Sequence, residues 1–282
     1  MNDLRPCPAC AMPTPHRFCW RVNQCAIYAC RVCGLGAAEA QDFDPAGYYT
    51  GAYFDGTAAD GYADYAGSEA VLRAEFRRTL AALRDIVPSG RLLEIGAAYG
   101  FFLMEAQAHF AVRGVEMADE AAVAARARGL DVVSGPATPA AFAAPEPWDA
   151  IVMLDVIEHL DDPAGVVQQC AAHLRPGGAL MLTTGDFGSI VARLAGQRWR
   201  LMTPPQHLWF FTHESLTRLG HRFGLVAERV EHPWKRVPVS LIAYQLGRMT
   251  GINLKADRVA GLSSWGVPLN LFDSLRVIFR KS

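Results

Sequence analysis

The sequence predicts an α/β fold: a mostly parallel sheet wound with helices on both faces, preceded by a small cysteine-rich module. Three observations carry that expectation. From Arg91 onward, short apolar runs alternate with stretches of helical periodicity, the pattern of strand–helix units in a parallel sheet. The first such unit, RLLEIGAAYGFFL, places a small-residue turn between a buried strand and a helix start. Ahead of it, six of the seven cysteines fall within the first 33 residues.

The module spans residues 1–40. CPAC sets Cys7 and Cys10 two residues apart, and CRVCGLG does the same for Cys30 and Cys33. Two such pairs about 20 residues apart are the spacing of a structural zinc site, each knuckle turning two sulfurs toward one ion. So short a segment has little core, and metal binding would supply its folding energy. A closed set of four thiolates leaves no open position for water, so this Zn²⁺ is expected to be structural. His16, Cys19 and Cys25 are spare candidates, the two cysteines reading more simply as small buried hydrophobes.

Residues 41–90 form a linker and a helix expected to cover the cofactor site. The linker is rich in Gly, Asp and Tyr, and YYTGAYF contributes Tyr48, Tyr49 and Tyr53. The helix starts at Ser68, whose side chain is expected to cap it. Val71, Leu72, Phe76, Leu80 and Leu83 recur at helical spacing, and Pro88-Ser89-Gly90 ends it.

The third segment, 91–282, holds the wound sheet, with insertions about 187–208 and 233–268 expected to roof a substrate. In such sheets ligands bind beyond the carboxyl ends of the strands, where the turn after RLLEI falls. A dinucleotide site would want G-x-G-x-x-G, but here Gly96 and Gly100 are four apart and Glu94 closes the strand. An acid at that point repels a pyrophosphate and welcomes an ammonium group. The second strand ends in Glu116, 22 residues later, where a carboxylate can take both hydroxyls of a ribose. A cationic, phosphate-free nucleoside fits both features, and S-adenosylmethionine is that ligand.

At these positions the chain resembles the class I S-adenosylmethionine-dependent methyltransferases. LLEIGAAYG is similar to the family's E/D-x-G-x-G-x-G loop, with Ala98 where the middle glycine is usual. The resemblance implies donor contacts from Glu94, Gly96, Ala97, Ala98 and Gly100. GVEM implies Glu116 on the ribose and Met117 against the adenine. WDAIVMLDVIEHLDDP resembles the fourth-strand motif, implying Leu154, Asp155 and His159 along the donor, and LRPGGALMLTT resembles the turn and strand that follow. The family's adenine-contacting acid is replaced by Ser134, Gly135 and Pro136. Tyr49 lies in the segment that folds over the donor in similar proteins. The fold implied is a Rossmann-like, doubly wound, seven-stranded sheet with its last strand antiparallel, which favours a strand over a lipid-facing helix for DSLRVIFRKS.

Methyl transfer needs alignment and a proton acceptor. Histidine suits the second role, and His159 in DVIEHL and His207 in PPQHLWFF are the two candidates. The Cys-knuckle module together with the HLWFF segment resembles the zinc-ribbon methyltransferases of sugar and polysaccharide modification. Pro205 and Gln206 stand where the deoxysugar C-methyltransferases carry part of their site, which favours O-methylation of a sugar-like or other hydroxylated small molecule over C- or N-methylation. A rival expectation is a protein with a degenerate donor site whose ribbon binds a macromolecule. Against nucleic acid, the formal net charge is −1 and residues 1–33 offer only Arg5, Arg17, Arg21 and Arg31 as basic groups. There is no signal-like h-region or membrane-length apolar run, and the expected location is cytoplasmic.

Overall fold

The computed structural model describes residues 3–40, 43–48, 54, 64–243 and 260–282. Strands β1 (Asp3–Cys7), β2 (Met12–Val22), β3 (Cys25–Cys30) and β4 (Gly36–Glu39) lead into helix α1 (Glu69–Arg84). Then come β5 (Gly90–Ile95), α2 (Phe101–Ala106), β6 (Phe110–Glu116), α3 (Asp119–Ala127), β7 (Val132–Ser134), β8 (Trp148–Leu154), α4 (Pro163–His173) and β9 (Leu174–Gly185). The chain finishes with α5 (Ile190–Ala195), β10 (Trp209–Phe210), α6 (His213–His221), β11 (Leu225–Glu231), β12 (Lys235–Pro238), β13 (Gly266–Leu269) and β14 (Ser274–Lys281). The seven-stranded sheet runs β11-β14-β9-β8-β5-β6-β7, and β14 pairs antiparallel with both β9 and β11. The expected wound sheet and its antiparallel last strand are therefore present.

Two compact units form. One comprises Met1–Phe43, Thr138–Pro233 and Leu271–Ser282; the other comprises Asp44–Ala137 and Trp234–Asn270. In the first, β8 and β9 are parallel and bury nearly continuous apolar runs: Ala150 to Met153 and Ala179 to Met181 are all fully buried. That is the composition of strands covered on both faces, and each fully buried aliphatic side chain contributes about 2 kcal/mol. The amino-terminal ribbon is an antiparallel sheet ordered β1-β2-β3-β4-β10. Its fifth strand comes from the HLWFF segment: Trp209 and Phe210 pair with Ala37 and Gly36. A Cβ on Gly36 would lie 2.9 Å from Phe210 Cβ, so only glycine admits that strand.

In the second unit, β5, β6 and β7 are parallel, and α1 buries Val71, Leu72, Leu80 and Leu83. The expected Ser68 cap is absent. Its hydroxyl donates instead to the Asp64 carbonyl at 2.6 Å, stabilising the turn before the helix. After Trp234 the chain forms a strand, β12, pairing antiparallel with β13. Arg236 N donates to Glu75 Oε2 at 2.6 Å, so a buried carboxylate on α1 holds that hairpin.

Candidate active site

The candidate donor-binding residues Glu94 to Gly100 and Glu116 belong to the second unit. Leu92 through Ile95 are buried along β5, which carries Glu94 inward at 3% exposure. The turn that follows is anchored by Gly96 N and Ala97 N, which both donate to Val115 O, at 2.8 and 3.1 Å. Gly96, Ala98 and Gly100 alternate in the left-handed region, at φ of 78°, 46° and 77°. Ala98 thus adopts the conformation that a glycine would take without strain. Gly100 has no such latitude, because an added Cβ would lie 2.3 Å from Leu130 Cδ1.

Glu116 closes the loop from the neighbouring strand. Its Oε2 accepts from Ala98 N at 2.7 Å and its Oε1 from Ala118 N at 2.8 Å. The acid expected to hold a ribose therefore also shapes the turn, each oxygen keeping a further lone pair for a hydroxyl. Met117 follows it, half-buried. Glu94 Oε2 is buried with no hydrogen-bond partner among the described residues. Burial, and then the Glu116 charge, push the Glu94 carboxyl well above the usual carboxylate range. Glu116 is also raised by burial, against the pull of its backbone donors. An unpaired buried carboxylate is costly, and a cationic ligand would offset that cost. The pair suits an ammonium-bearing nucleoside and is hostile to phosphate.

Linker aromatics pack beside this loop. Tyr65 stacks on Phe101 at 5.3 Å and on Tyr99 at 5.5 Å, and Phe54 meets Tyr65 and Tyr99 edge-on. The tyrosine singled out in sequence as the covering residue, Tyr49, lies outside the described residues. Tyr65 and Phe54 take the described aromatic contacts; nothing in their local sequence sets them apart from the other linker aromatics.

The candidate proton acceptors belong to the first unit. β8 ends at Leu154, and Asp155 turns the chain at φ 55°. That turn is held by Asp155 N donating to Thr183 O and by Thr183 Oγ1 donating to Asp155 Oδ1, both at 3.0 Å. His159 and His207, 48 positions apart in sequence, meet with ring centroids 4.7 Å apart in an edge-on pair. His159 Nδ1 donates to Gln206 O at 2.9 Å and His207 Nδ1 to Leu201 O at 2.8 Å. A carbonyl can only accept, so in each neutral ring Nδ1 carries the proton and Nε2 is the unprotonated nitrogen. Burial lowers His159 to about 4, against the Gln206 hydrogen bond and the Asp155 charge, which raise it. Burial first, then His159, lowers His207 to about 3. A carboxylate oxygen of Glu158 lies within 4.8 Å of one nitrogen of each ring. The carbonyls that orient the two rings could not have been read from the sequence, since main-chain acceptors leave no residue signature.

The cysteine site is assembled as its spacing implies. Cys10 N and Ala11 N donate to Cys7 O, and Gly34 N to Cys30 O, forming the two knuckles. The Sγ atoms of Cys7, Cys10, Cys30 and Cys33 all lie within 4.8 Å of one another. The Cys33 thiol donates to Cys7, drawing Cys7 down and holding Cys33 up. Four crowded thiols of which one is already acidified form the donor set a thiophilic dication takes. Cys19 and Cys25 lie outside this cluster, and Cys25 packs in the core with Ile27 and Phe210. His16 is turned to the Thr14 carbonyl at 2.8 Å.

Doubly wound α/β sheets bind their ligands beyond the carboxyl ends of the strands, the position of this loop after β5. Comparison with known proteins carries this further. A methyltransferase-domain profile matches residues 66–230, and the chain belongs to that family. A ubiquinone biosynthesis O-methyltransferase of Caulobacter vibrioides is 36% identical over 177 residues, 55% of this chain and 70% of that protein. One from Xanthomonas campestris pv. campestris is 32% identical over 111 residues, 36% of this chain and 46% of that protein. The chain thus spans less than half the length of several such relatives. A possible histamine N-methyltransferase of Thermotoga maritima superposes with a TM-score of 0.50 at 20% identity, covering 76% of this chain and 91% of that one. That likeness is one of fold.

Proposed function

We propose that this protein transfers a methyl group from S-adenosylmethionine to a hydroxyl of a small molecule. The observation that carries the donor is Glu94, a buried carboxylate with an unpartnered oxygen beside the loop that Glu116 shapes. Those residues fit a sulfonium nucleoside: Glu94 would face its ammonium group and Glu116 its ribose, with Gly96, Ala97, Ala98 and Gly100 leaving room for close approach. Met117, Leu154 and Asp155 would line it. When bound, the donor supplies a methyl carbon already activated by positive sulfur.

What remains for the chain is to align the acceptor and take its proton. His207 and His159 are suited to that, with Nε2 of each ring in the base form. A proton arriving on either ring is stabilised by the Asp155 charge, which raises both groups. The transferred methyl ends on the acceptor oxygen, the proton on imidazole. These rings hold protons weakly, which suits an acidic hydroxyl. A phenol ionises near 10, far below an alkyl hydroxyl, so a phenolic acceptor fits better than the sugar hydroxyl that the ribbon resemblance implies. The relatives named as ubiquinone biosynthesis O-methyltransferases favour an oxygen acceptor. Cys7, Cys10, Cys30 and Cys33 would hold Zn²⁺ as a structural ion.

His207→Ala tests the assignment. Turnover on a phenolic acceptor, read as one added CH₂ by mass spectrometry, should fall by about 10²–10⁴, while calorimetric donor affinity stays within about twofold, less than the 1.4 kcal/mol that a tenfold change represents. Equal losses in both, or in neither, would remove the histidine from the chemistry.

A further inference from the structure

The insertion between β9 and α6 does more than carry His207. Residues 187–213 contain Arg193, Arg198 and Arg200 and no Asp or Glu, in a chain of formal net charge −1. Its helix α5 is oriented by Ser189, whose hydroxyl accepts from Ala192 N, and by Ala192, which is buried. The other face is apolar and open: Ile190 is 74% exposed, Leu194 84% and Val191 37%. Ile190 and Leu194 are one turn apart and share that face. Arg193 and Arg198 are exposed beside them. Arg200 is spent internally, donating twice to Asp273, which also accepts from Trp199 Nε1 at 3.0 Å. That buried junction anchors the insertion to the strand leading into β14, so its tip is presented on a fixed base. The preceding residue, Phe272, is 62% exposed.

Large aliphatic side chains are rarely left so open in a cluster. Apolar side chains at the tip of an acid-free, cationic element are the composition of a surface that rests on anionic lipid. A second copy of the chain fits less well, because a two-fold contact through this patch would set like arginines against each other. We infer that the α5 tip docks the protein on an anionic phospholipid surface, with Ile190, Val191 and Leu194 entering the acyl boundary and Arg193 and Arg198 meeting phosphates. No described helix is long and apolar enough to cross a membrane, so the attachment is peripheral.

Vesicle co-sedimentation of the full chain tests this. The wild type should pellet with phosphatidylcholine vesicles containing phosphatidylglycerol, much less with phosphatidylcholine alone, and less as salt rises. Arg193→Gln with Arg198→Gln should lower the partition coefficient about 30-fold. Ile190→Glu with Leu194→Glu should abolish binding. Both pairs alter exposed side chains, and unchanged donor affinity would show that the fold is intact. Wild-type protein that ignores anionic vesicles, or variants that bind as the wild type does, would overturn the inference. So would a wild-type dimer that the Glu pair converts to monomer, which would assign the patch to self-association.

Discussion

Glu94, in the role proposed for it, would oppose folding and serve binding. Its carboxyl is buried, raised, and short of one hydrogen bond among the described residues, a cost that a bound cation would offset. Glu94→Gln should therefore raise the thermal midpoint of the donor-free protein at neutral pH while weakening donor binding at least tenfold. Scanning calorimetry and donor titration check the two halves; a variant with unchanged donor affinity would discard the role. Wild-type donor binding should also release protons, because a cation favours the ionised carboxylate. Titrations in buffers of different ionisation enthalpy should report that release, and the affinity should improve as pH rises through the carboxyl's raised range. Ala98 carries a smaller cost of the same kind. Its left-handed φ of 46° costs an L-residue roughly 1–2 kcal/mol, part of which glycine returns as chain entropy. Ala98→Gly should leave donor affinity near the wild-type value and stabilise by about 0.5 kcal/mol, a net of those two effects.

At the level of elements, the ribbon and the catalytic candidates are one construction. β10 completes the ribbon sheet through Ala37 and Gly36, and His207 stands two residues before it. Asn23 Nδ2 donates to Pro204 O at 2.7 Å, and Thr212 Oγ1 to Cys33 O at 3.0 Å, so ribbon contacts flank the histidine on both sides. Arg222 at the end of α6 donates to Pro8 O in the first knuckle. Removing zinc, by chelation or Cys33→Ser, should therefore lower turnover by loosening His207 while sparing donor affinity. Full activity after chelation would separate the ribbon from the site. Little of this coupling was legible in the sequence. CxxC pairs announce themselves by spacing, and the alternation after Arg91 announces the wound sheet, because both are local patterns. A two-residue strand such as Trp209–Phe210 has no periodicity to detect, and its partner lies some 170 positions away. The meeting of His159 with His207 is likewise long-range. The Ser68 cap failed for a local reason, since a nearby carbonyl, Asp64 O, was the better partner for its hydroxyl.

For the whole molecule, the buried ionisable groups give stability pH dependences of opposite sign. The two histidines have folded values of about 4 and about 3 against 6.5 for an unperturbed ring. Below 6.5 the unfolded chain binds protons that the native chain refuses, so stability falls as pH drops toward those values. Each ring costs on the order of 2 kcal/mol at the acid end, discounted for its partial exposure. Glu94 and Glu116 act in reverse: their folded values are raised, so the native state holds protons that the unfolded chain has released. Stability then falls as pH rises from the ordinary carboxylate range through the raised one. The thermal midpoint of the donor-free protein should consequently pass through a maximum at the pH where the two opposing slopes cancel. Glu94→Gln should flatten the alkaline limb, and His159→Gln with His207→Gln the acid limb. Saturating donor should flatten the alkaline limb as Glu94→Gln does, because a bound cation removes the reason for Glu94 to keep its proton. A donor that lifts the whole curve without changing its shape would show that its positive charge is not read by Glu94.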